Sequence, residues 1–291
     1  MMIKNLLIFF LLFNCAVFAQ IKGKIIDENN QPIPYVNILV ENENIGTTSD
    51  IDGSFSLGIK DEKMLLFSVL GYEKMKIKSS DATLVKMKAT TYQLGEIAII
   101  NKKQTKEIEI GKTENAIHQA FENGPKFDAK FFPFLSNYKK TKYIKKVIIS
   151  TESSIDAATV KIHFYEVGDD GLPGEELLEK DFIVSVKKGS RKTQFDVSNL
   201  NMVFPKKGLF VAIERLFIEK NKFENTVPAS DPTKTKVKRT YYPLPFYNFV
   251  EKEYTYTFLG GKWIKEFKKD NDGLVIKTRV FEPAINLILT N

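Results

Sequence analysis

The sequence predicts an all-β protein made of two consecutive β-sandwiches. Short runs rich in β-branched and aromatic residues recur along the chain, and Asn, Asp, Gly and Pro separate them, as is typical of strands joined by tight turns. One run alternates clearly, since Val160, Ile162 and Phe164 occupy every second position and would face a core. A hydrophobic fraction of 43% over 291 residues is enough to fill one large or two ordinary cores.

The first 19 residues predict an export signal that is cleaved from the mature chain. Lys4 gives a positive start, residues 6–13 form a short apolar run, and Ala19 completes a cleavage signal before Gln20. This run is shorter than the roughly 20 apolar residues that a membrane-spanning helix needs. We therefore expect a mature protein that begins at Gln20, has no transmembrane span and acts in the periplasm, at the outer membrane or outside the cell.

Cys15 leaves open a second kind of export, in which its thiol is acylated and tethers the chain to a membrane. Asn14 is atypical for that reaction, because lipoprotein signals usually have a small residue directly before the cysteine. Cleavage before Gln20 would remove the only cysteine, which excludes a disulfide or a thiol nucleophile in the mature protein. Removal of Lys4 with the signal lowers the formal charge of +7 by one, which leaves a mild positive excess on the mature chain. A positive protein can bind nucleic acid, but export from the cell disfavours nucleic acid as the partner here.

Residues 20–101 predict the first sandwich, with β-like runs at Tyr35–Val40 and Met64–Val69 and no helical pattern. Asp50 and Gly53 predict a tight turn between two of its strands, because glycine tolerates a positive φ and aspartate accepts backbone hydrogen bonds. A calcium loop at this position is disfavoured, because an EF-hand loop ends in a glutamate that the sequence lacks here.

Several segments of this region carry a family pattern: residues 21–27 (IKGKIID), 32–38 (PIPYVNI), 46–55 (GTTSDIDGSF), 66–68 (LFS) and 71–72 (GY). Together they resemble the carboxypeptidase regulatory-like domain family, and that resemblance implies a Greek-key β-sandwich. Residues 94–99 (LGEIAI) are similar to the strand that follows this domain in many TonB-dependent outer-membrane receptors. A receptor plug and barrel would need several hundred further residues. We therefore expect the sandwich and not transport.

Residues 102–130 predict a polar linker with one short helix. Apolar residues at helical spacing follow Thr113, which is a suitable helix N-cap, and Gly124-Pro125 ends the pattern. We therefore expect a helix over Thr113–Asn123.

Residues 131–291 predict a second, jelly-roll-like sandwich with longer strands. On its alternating strand, Lys161, His163 and Tyr165 would face away from the core. The turn at residues 169–174 and the strands beside it are weakly similar to jelly-roll accessory modules of secreted bacterial proteins. Residues 220–242 are polar, and the sequence allows either an exposed binding loop or a disordered segment there.

The chain carries no recognisable catalytic or cofactor-binding motif, and we predict no catalytic, metal-binding or cofactor-binding residue. Its two histidines, His118 in the predicted helix and His163 on the predicted outer side of a strand, lack zinc-ligand spacing. A serine-hydrolase elbow and a phosphate-binding loop are also absent from the sequence. Carboxylate pairs cannot be assigned from sequence, so a hydrolase with unrecognised carboxylates in the second sandwich stays open.

Aromatic residues are concentrated late in the chain and supply the only candidate ligand-binding residues, Trp263, Tyr254 and Tyr256. Aromatic rings stack on sugars in glycan-binding sandwiches, although alternating aromatic residues also serve as core or cross-strand pairs. The sequence thus predicts an exported, non-enzymatic binding or scaffolding protein of the bacterial cell envelope, with a glycan or an envelope protein as partner. An accessory role in an exported peptidase or in a TonB-dependent nutrient-uptake system is the main alternative.

Overall fold

The computed structural model describes residues 20–90, 105–112, 118–230 and 233–291. The predicted signal segment, including Cys15, and the receptor-like residues 94–99 lie outside the described residues. The all-β prediction is confirmed, because 56% of the structure is strand, 6% is helical and no described helix reaches seven residues. The described helices are short 3-10 turns at Ser79–Asp81, Ser136–Lys140, Ser198–Leu200 and Glu219–Asn221.

Seven strands form the N-terminal sandwich: β1 Gln20–Ile26, β2 Asn37–Val40, β3 Gly46–Thr48, β4 Ser54–Gly58, β5 Met64–Ser68, β6 Met75–Lys78 and β7 Leu84–Lys86. One sheet has the order β4-β1-β7 and the other the order β3-β2-β5-β6. The two sheets enclose a core that includes Ile25, Ile38, Phe55 and Phe67. Alternation in β4 and β5 explains this core, because apolar residues at every second position point to the same face.

The turn predicted between Asp50 and Gly53 is confirmed. The Gly53 amide donates a hydrogen bond to the Asp50 carbonyl at 2.9 Å, and Gly53 has a φ of +77°. A Cβ at Gly53 would lie 2.4 Å from the Ile25 carbonyl oxygen, so the strands can approach closely only with glycine at this position.

Eighteen further strands follow in the C-terminal part of the chain. They are β8 Glu107–Ile110, β9 His118–Ala120, β10 Phe127–Phe132, β11 Tyr143–Ser153, β12 Ala158–Val167, β13 Pro173–Glu176, β14 Phe182–Val186, β15 Gly189–Asp196, β16 Leu209–Arg215, β17 Lys222–Pro228, β18 Thr235–Tyr241, β19 Leu244–Lys252, β20 Thr255–Leu259, β21 Lys262–Glu266, β22 Lys268–Lys269, β23 Val275–Ile276, β24 Thr278–Pro283 and β25 Ile285–Thr290.

Two seven-stranded antiparallel sheets form the C-terminal sandwich. The first has the order β13-β12-β16-β10-β20-β21, with β14 also paired to β12. The second has the order β24-β19-β11-β25-β8, with β15 on β11 and β9 on β19. Val160 and Ile162 of the first sheet and Val147, Ile149 and Leu287 of the second share one buried core between the sheets.

The segment predicted as a linker contributes strands to this sandwich instead of a helix. Ile110 of β8 pairs with Leu287 of β25, Gln119 of β9 pairs with Tyr247 of β19, and β10 pairs with β16. The predicted helix Thr113–Asn123 is therefore wrong for its described strand residues 118–120, and residues 113–117 lie outside the described part. A neighbouring strand offers backbone hydrogen-bond partners, and this tertiary context overrides the helical spacing.

The sequence predicted that the second side of β12 faces solvent, and that prediction is wrong. Lys161 and His163 are 2% and 7% exposed, because a second aromatic cluster covers the outer face of this sheet. Its buried members are Phe127, Ala129, Phe210, Ala212 and Tyr256, and Tyr165 and Trp263 pack against them. Strands β12 and β16 are consequently buried on both faces, which period-2 alternation in one sequence cannot reveal.

The described part of residues 220–242 is neither an irregular loop nor a disordered segment, because most of it forms two strands. β17 and β18 pair in seven-residue register from Lys222–Tyr241 to Pro228–Thr235 and form a separate two-stranded hairpin. The buried Asn221 anchors its base through hydrogen bonds with the Thr159 amide, the Thr159 carbonyl and the Leu216 carbonyl.

The two sandwiches contact each other through backbone and side-chain hydrogen bonds. The Asn42 amide donates to the Gly260 carbonyl at 3.1 Å, and the Phe217 amide donates to Thr48 Oγ1 at 3.1 Å. A Cβ at Gly260 would lie 2.5 Å from the Asn42 Cα, so glycine allows the turn before β21 to contact the N-terminal sandwich. Whether the sandwiches are independent domains stays a prediction.

Candidate functional site

A cleft of about 550 Å³ lies between the two sandwiches, and we call it the inter-sandwich cleft. Ser68, Leu70 and Lys74 of the N-terminal sandwich line one side. The outer face of β12, the β13 segment and the start of β21 line the other side. Ligand sites often form where two structural units meet, because each unit supplies one wall.

A buried ion pair lies in the wall of the cleft. Lys161 Nζ is 2.8 Å from Asp181 Oδ2 and donates a second hydrogen bond to the Tyr35 carbonyl of the N-terminal sandwich at 2.6 Å. The side chains of Lys161 and Asp181 are 2% and 9% exposed. Asp181 Oδ1 is buried and accepts no hydrogen bond from the part of the chain that the structure describes. This oxygen is an acceptor that a hydroxyl group of a ligand could satisfy.

His163 lies beside this pair, between two carboxylates and two aromatic rings. Nδ1 is 3.1 Å from Glu176 Oε2, and Nε2 is 2.8 Å from Glu214 Oε2. The imidazole stacks on Phe127 and Tyr165, with ring centroids 5.5 and 5.4 Å apart. The sequence predicted a surface histidine, and that prediction is wrong because the aromatic cluster and the carboxylates enclose the ring.

Burial and charge act in opposite directions on the protonation of this group. Burial lowers the pKa of His163, but Glu176 and Glu214 more than reverse that effect and raise the pKa from 6.5 to about 10. Burial also opposes ionisation of Glu214, whereas Lys161 and His163 outweigh it and lower the pKa of this carboxyl. Burial and the same two carboxylates raise the pKa of Tyr165 well above its usual value. His163 is therefore a charged imidazolium at neutral pH.

Trp263, one of the three predicted ligand-binding residues, lines the inter-sandwich cleft. Its half-buried indole makes edge contacts with Phe127, Tyr165 and Phe258, with ring centroids 5.6, 5.4 and 5.3 Å away. These contacts hold the ring in place beside the stacked His163.

Tyr254 and Tyr256 lie elsewhere, in a groove of about 520 Å³ between β20 and β24. The ring of Tyr256 is buried against Phe210, 4.6 Å between centroids, so it packs as part of the second aromatic cluster. Lys265 Nζ lies 4.0 Å above the centroid of the Tyr254 ring and occupies a position that a stacked sugar would need. The structure thus separates the three predicted residues into two places.

Sequence reasoning did not select four buried charged residues of the cleft wall, which are Lys161, Glu176, Asp181 and Glu214. A signal was present, because Lys161 and His163 occupy alternate positions of a strongly apolar strand. When only one face of the strand is assumed to be covered, this alternation predicts that Lys161 and His163 are exposed to solvent. No group of three or more histidine, cysteine or acidic side chains in the described ranges has the arrangement of a metal site.

Residues 21–122 match the family model described as the CarboxypepD_reg-like domain. The N-terminal sandwich is a CarboxypepD_reg-like domain. This confirms the resemblance carried by the sequence motifs. The matched range continues past β7 of the CarboxypepD_reg-like domain and includes β8 and β9, which pair with strands of the C-terminal sandwich.

Curated relatives of the chain include three TonB-dependent receptors. TonB-dependent receptor P39 of Formosa agariphila is 29% identical over 100 residues, 33% of this chain and 10% of the receptor. TonB-dependent receptor SusC of Bacteroides thetaiotaomicron is 30% identical over 93 residues, 31% of this chain and 9% of the receptor. TonB-dependent receptor P3 of Formosa agariphila is 29% identical over 122 residues, 40% of this chain and 12% of the receptor. The chain therefore matches about a tenth of each relative's length.

Within the described residues, no helix combines the length and the apolar character needed to cross a bilayer.

Proposed function

We propose that the protein is an exported, non-enzymatic binding protein of the bacterial cell envelope, and that the inter-sandwich cleft binds a neutral glycan. One observation carries the proposal. The buried carboxylate oxygen Asp181 Oδ1 has no hydrogen-bond partner among the described residues, and it lies in the same cleft as the Lys161 ammonium group and the Trp263 indole. An acceptor, a donor and an aromatic ring are the three kinds of group that recognise a sugar.

The charges of the cleft favour a neutral ligand. Four cationic side chains line it, namely Lys74, Lys161, His163 and Lys262, and four carboxylates balance them, namely Glu175, Glu176, Asp181 and Glu214. The volume of about 550 Å³ lies inside the range of about 300–1,000 Å³ that is usual for ligand sites. A hydroxyl-rich neutral molecule can donate to Asp181 and stack on Trp263 without adding a net charge to this balanced wall.

The envelope setting is supported by the predicted export signal and by the TonB-dependent receptors among the relatives. A role beside a nutrient-uptake system in the same envelope is consistent with the CarboxypepD_reg-like domain that the chain and these receptors share.

A hydrolase is the second candidate, because Glu176 and Glu214 converge in the cleft as a pair of catalytic carboxylates would. Both carboxylates are instead held on the same imidazolium, and the Phe164 amide donates a further hydrogen bond to Glu176 Oε1 at 2.8 Å. A general acid needs a raised carboxyl pKa, whereas the pKa of Glu214 is lowered. These contacts support a structural role for the pair and a binding role for the cleft.

The proposal is tested by titrating the mature protein with maltoheptaose, cellohexaose and mannohexaose while following the fluorescence of Trp263, the single tryptophan of the sequence. We expect one of these neutral oligosaccharides to shift the emission. Asp181→Asn should weaken its binding by about tenfold or more, because a hydrogen bond to a charged group contributes about 1.5–3 kcal/mol. The matched control is Asp61→Asn, which makes the same chemical change at an exposed site.

Trp263→Ala separates binding from stability. We expect loss of binding, measured by calorimetry, with a loss of folding stability below about 3 kcal/mol, because the indole is only half-buried. A loss of about 3–5 kcal/mol of folding stability would instead identify the indole as a core residue. Equal binding by the wild type and Asp181→Asn, or no binding of any of the three sugars, would overturn the proposal. Release of reducing sugar by the wild type, abolished in Glu214→Gln, would favour the hydrolase.

A further inference from the structure

The outer face of the sheet formed by β4, β1 and β7 is open to solvent. Phe55, Ile25 and Val85 of these strands point into the core of the N-terminal sandwich, so the residues that alternate with them point outward. Most of these outward positions are exposed. This face is therefore accessible to a partner.

Three exposed lysines give this face its charge. Lys22 and Lys24 are two positions apart on β1, about 7 Å, and Lys86 lies on β7 opposite Ile26, two positions further along. The three side chains therefore follow the face over roughly 14 Å. Strands β1, β4 and β7 contain no acidic residue, so the cross-strand neighbours of these lysines do not balance their charge.

The carboxylates at the borders of the face leave its positive excess in place. Asp52, in the turn before β4, accepts hydrogen bonds from the Ser54 amide and hydroxyl at 2.9 and 2.6 Å. Those bonds, with a smaller effect of Lys24, lower the pKa of Asp52, so this carboxylate offsets at most one of the three lysine charges. The small polar pocket at the opposite end of the face is lined by two carboxylates and two cationic side chains and adds no net charge.

Two strongly exposed aliphatic side chains accompany these lysines. Leu84 points outward on β7, is paired with Lys24 in the sheet and is 61% exposed. Ile51 is 74% exposed in the turn that leads into β4, next to the Asp52 that interacts with Lys24. Cations that attract anionic headgroups and apolar side chains that enter the interface are the two components of membrane-surface binding.

We propose that the outer face of the β4-β1-β7 sheet binds the surface of a bilayer that contains anionic phospholipids. The three ammonium groups bind headgroup phosphates, and Leu84 and Ile51 enter the boundary between headgroups and acyl chains. An anionic polysaccharide fits less well, because a hydrated chain of carboxylates does not remove an exposed leucine from water. The residues of this face lie outside the lining of the inter-sandwich cleft, so the inference goes beyond glycan binding.

Co-sedimentation of the mature protein with vesicles of mixed phosphatidylcholine and phosphatidylglycerol tests this proposal, with phosphatidylcholine vesicles as the neutral reference. The variant Lys22→Thr/Lys24→Thr/Lys86→Thr keeps strand propensity and removes the charge of the face. A matched control, Lys140→Thr/Lys187→Thr/Lys206→Thr, removes the same charge from exposed positions of the C-terminal sandwich. We expect the face variant to bind the mixed vesicles at least about tenfold more weakly and the control to stay within about twofold of the wild type. Wild-type binding should also decrease as salt is raised from about 50 to about 300 mM.

The variant Leu84→Ser separates bilayer binding from attraction by charge, because it keeps all three lysines. We expect it to bind the mixed vesicles about fivefold or more weakly, since the leucine no longer leaves water at the interface. Leu274→Ser changes a similarly exposed leucine of the C-terminal sandwich and should leave binding within about twofold of the wild type.

Circular dichroism and thermal unfolding establish that the four variants fold. Three results would overturn the proposal. The first is an equal loss in both triple variants, which would mean attraction by net charge alone. The second is equal binding to the neutral and the mixed vesicles. The third is wild-type binding by Leu84→Ser, which would mean that the lysines attract any polyanion. Failure of the oligosaccharides to bind the cleft would leave the vesicle result unaffected, so the two proposals are separable.

Discussion

Raising the pH from about 7 to about 9 should destabilise the protein, because His163 holds its proton more tightly in the folded state than in the unfolded chain. Burial lowers the pKa of His163, and Glu176 and Glu214 reverse this and raise it from 6.5 to about 10. Between those two values the folded state binds one more proton than the unfolded state. Folding stability then decreases by about 1.4 kcal/mol for each pH unit.

The stabilisation by protonated His163 is complete below about pH 6.5 and is lost as the pH rises through about 10. From about pH 7 to about pH 9 the expected loss is about 2–3 kcal/mol. The lowered pKa of Glu214 affects folding stability only at acid pH, because the stabilisation by its ionised carboxylate is lost as the pH falls. It therefore does not contribute to the change between about pH 7 and about pH 9.

The variant His163→Gln tests this account directly. It should lose about 3–5 kcal/mol near neutral pH, because Glu176 and Glu214 would remain buried without their cation. It should also have a nearly flat stability profile from about pH 7 to about pH 9. Urea unfolding at several pH values, followed by Trp263 fluorescence, measures both effects. A variant with the same slope as the wild type would refute the assignment of the pH dependence to His163.

Two further substitutions test the contacts that position the cleft and the hairpin. Gly260→Ala should lower the melting temperature more than Gly273→Ala does, because an added Cβ would lie 2.5 Å from the backbone of Asn42 at Gly260 and would meet nothing within 4 Å at Gly273. Differential scanning calorimetry compares the two, and equal losses would show that the contact between the sandwiches is unimportant. Asn221→Ala should cost about 1–3 kcal/mol, since it removes the side-chain partners of the backbone groups of Thr159 and Leu216, which hold the hairpin base on the sandwich. Asn225→Ala on the exposed hairpin should change the urea midpoint very little.

Local sequence signals were sufficient for the N-terminal sandwich. Asp50 and Gly53 specify a turn through backbone chemistry within four residues, and Phe55 and Leu57 alternate toward one core face. These interactions are local or follow strand periodicity, so a single sequence reveals them. The same local reasoning failed at residues 118–120, where pairing with β19 more than a hundred residues later replaces the predicted helix.

The candidate site could be predicted only in part. Trp263 was selected as one of the aromatic residues concentrated late in the chain, and it does line the cleft. Tyr254 and Tyr256 were selected by the same argument, yet they lie in another groove. Alternation along a strand assigns side chains to a face, but it does not tell which other element covers that face.

The sequence by itself determined the all-β class, because strand periodicity and turn chemistry act over a few residues. Its motifs also carried the resemblance to the family of the N-terminal domain. Only the tertiary structure decided the environment of β12. Its second face carries Lys161 and His163, which would be ordinary surface residues in water. The N-terminal sandwich and the aromatic cluster remove that water, so each cation pairs with a carboxylate from a distant part of the chain. Burial depends on neighbours distant in sequence, and those neighbours turn an alternating strand into the wall of the inter-sandwich cleft.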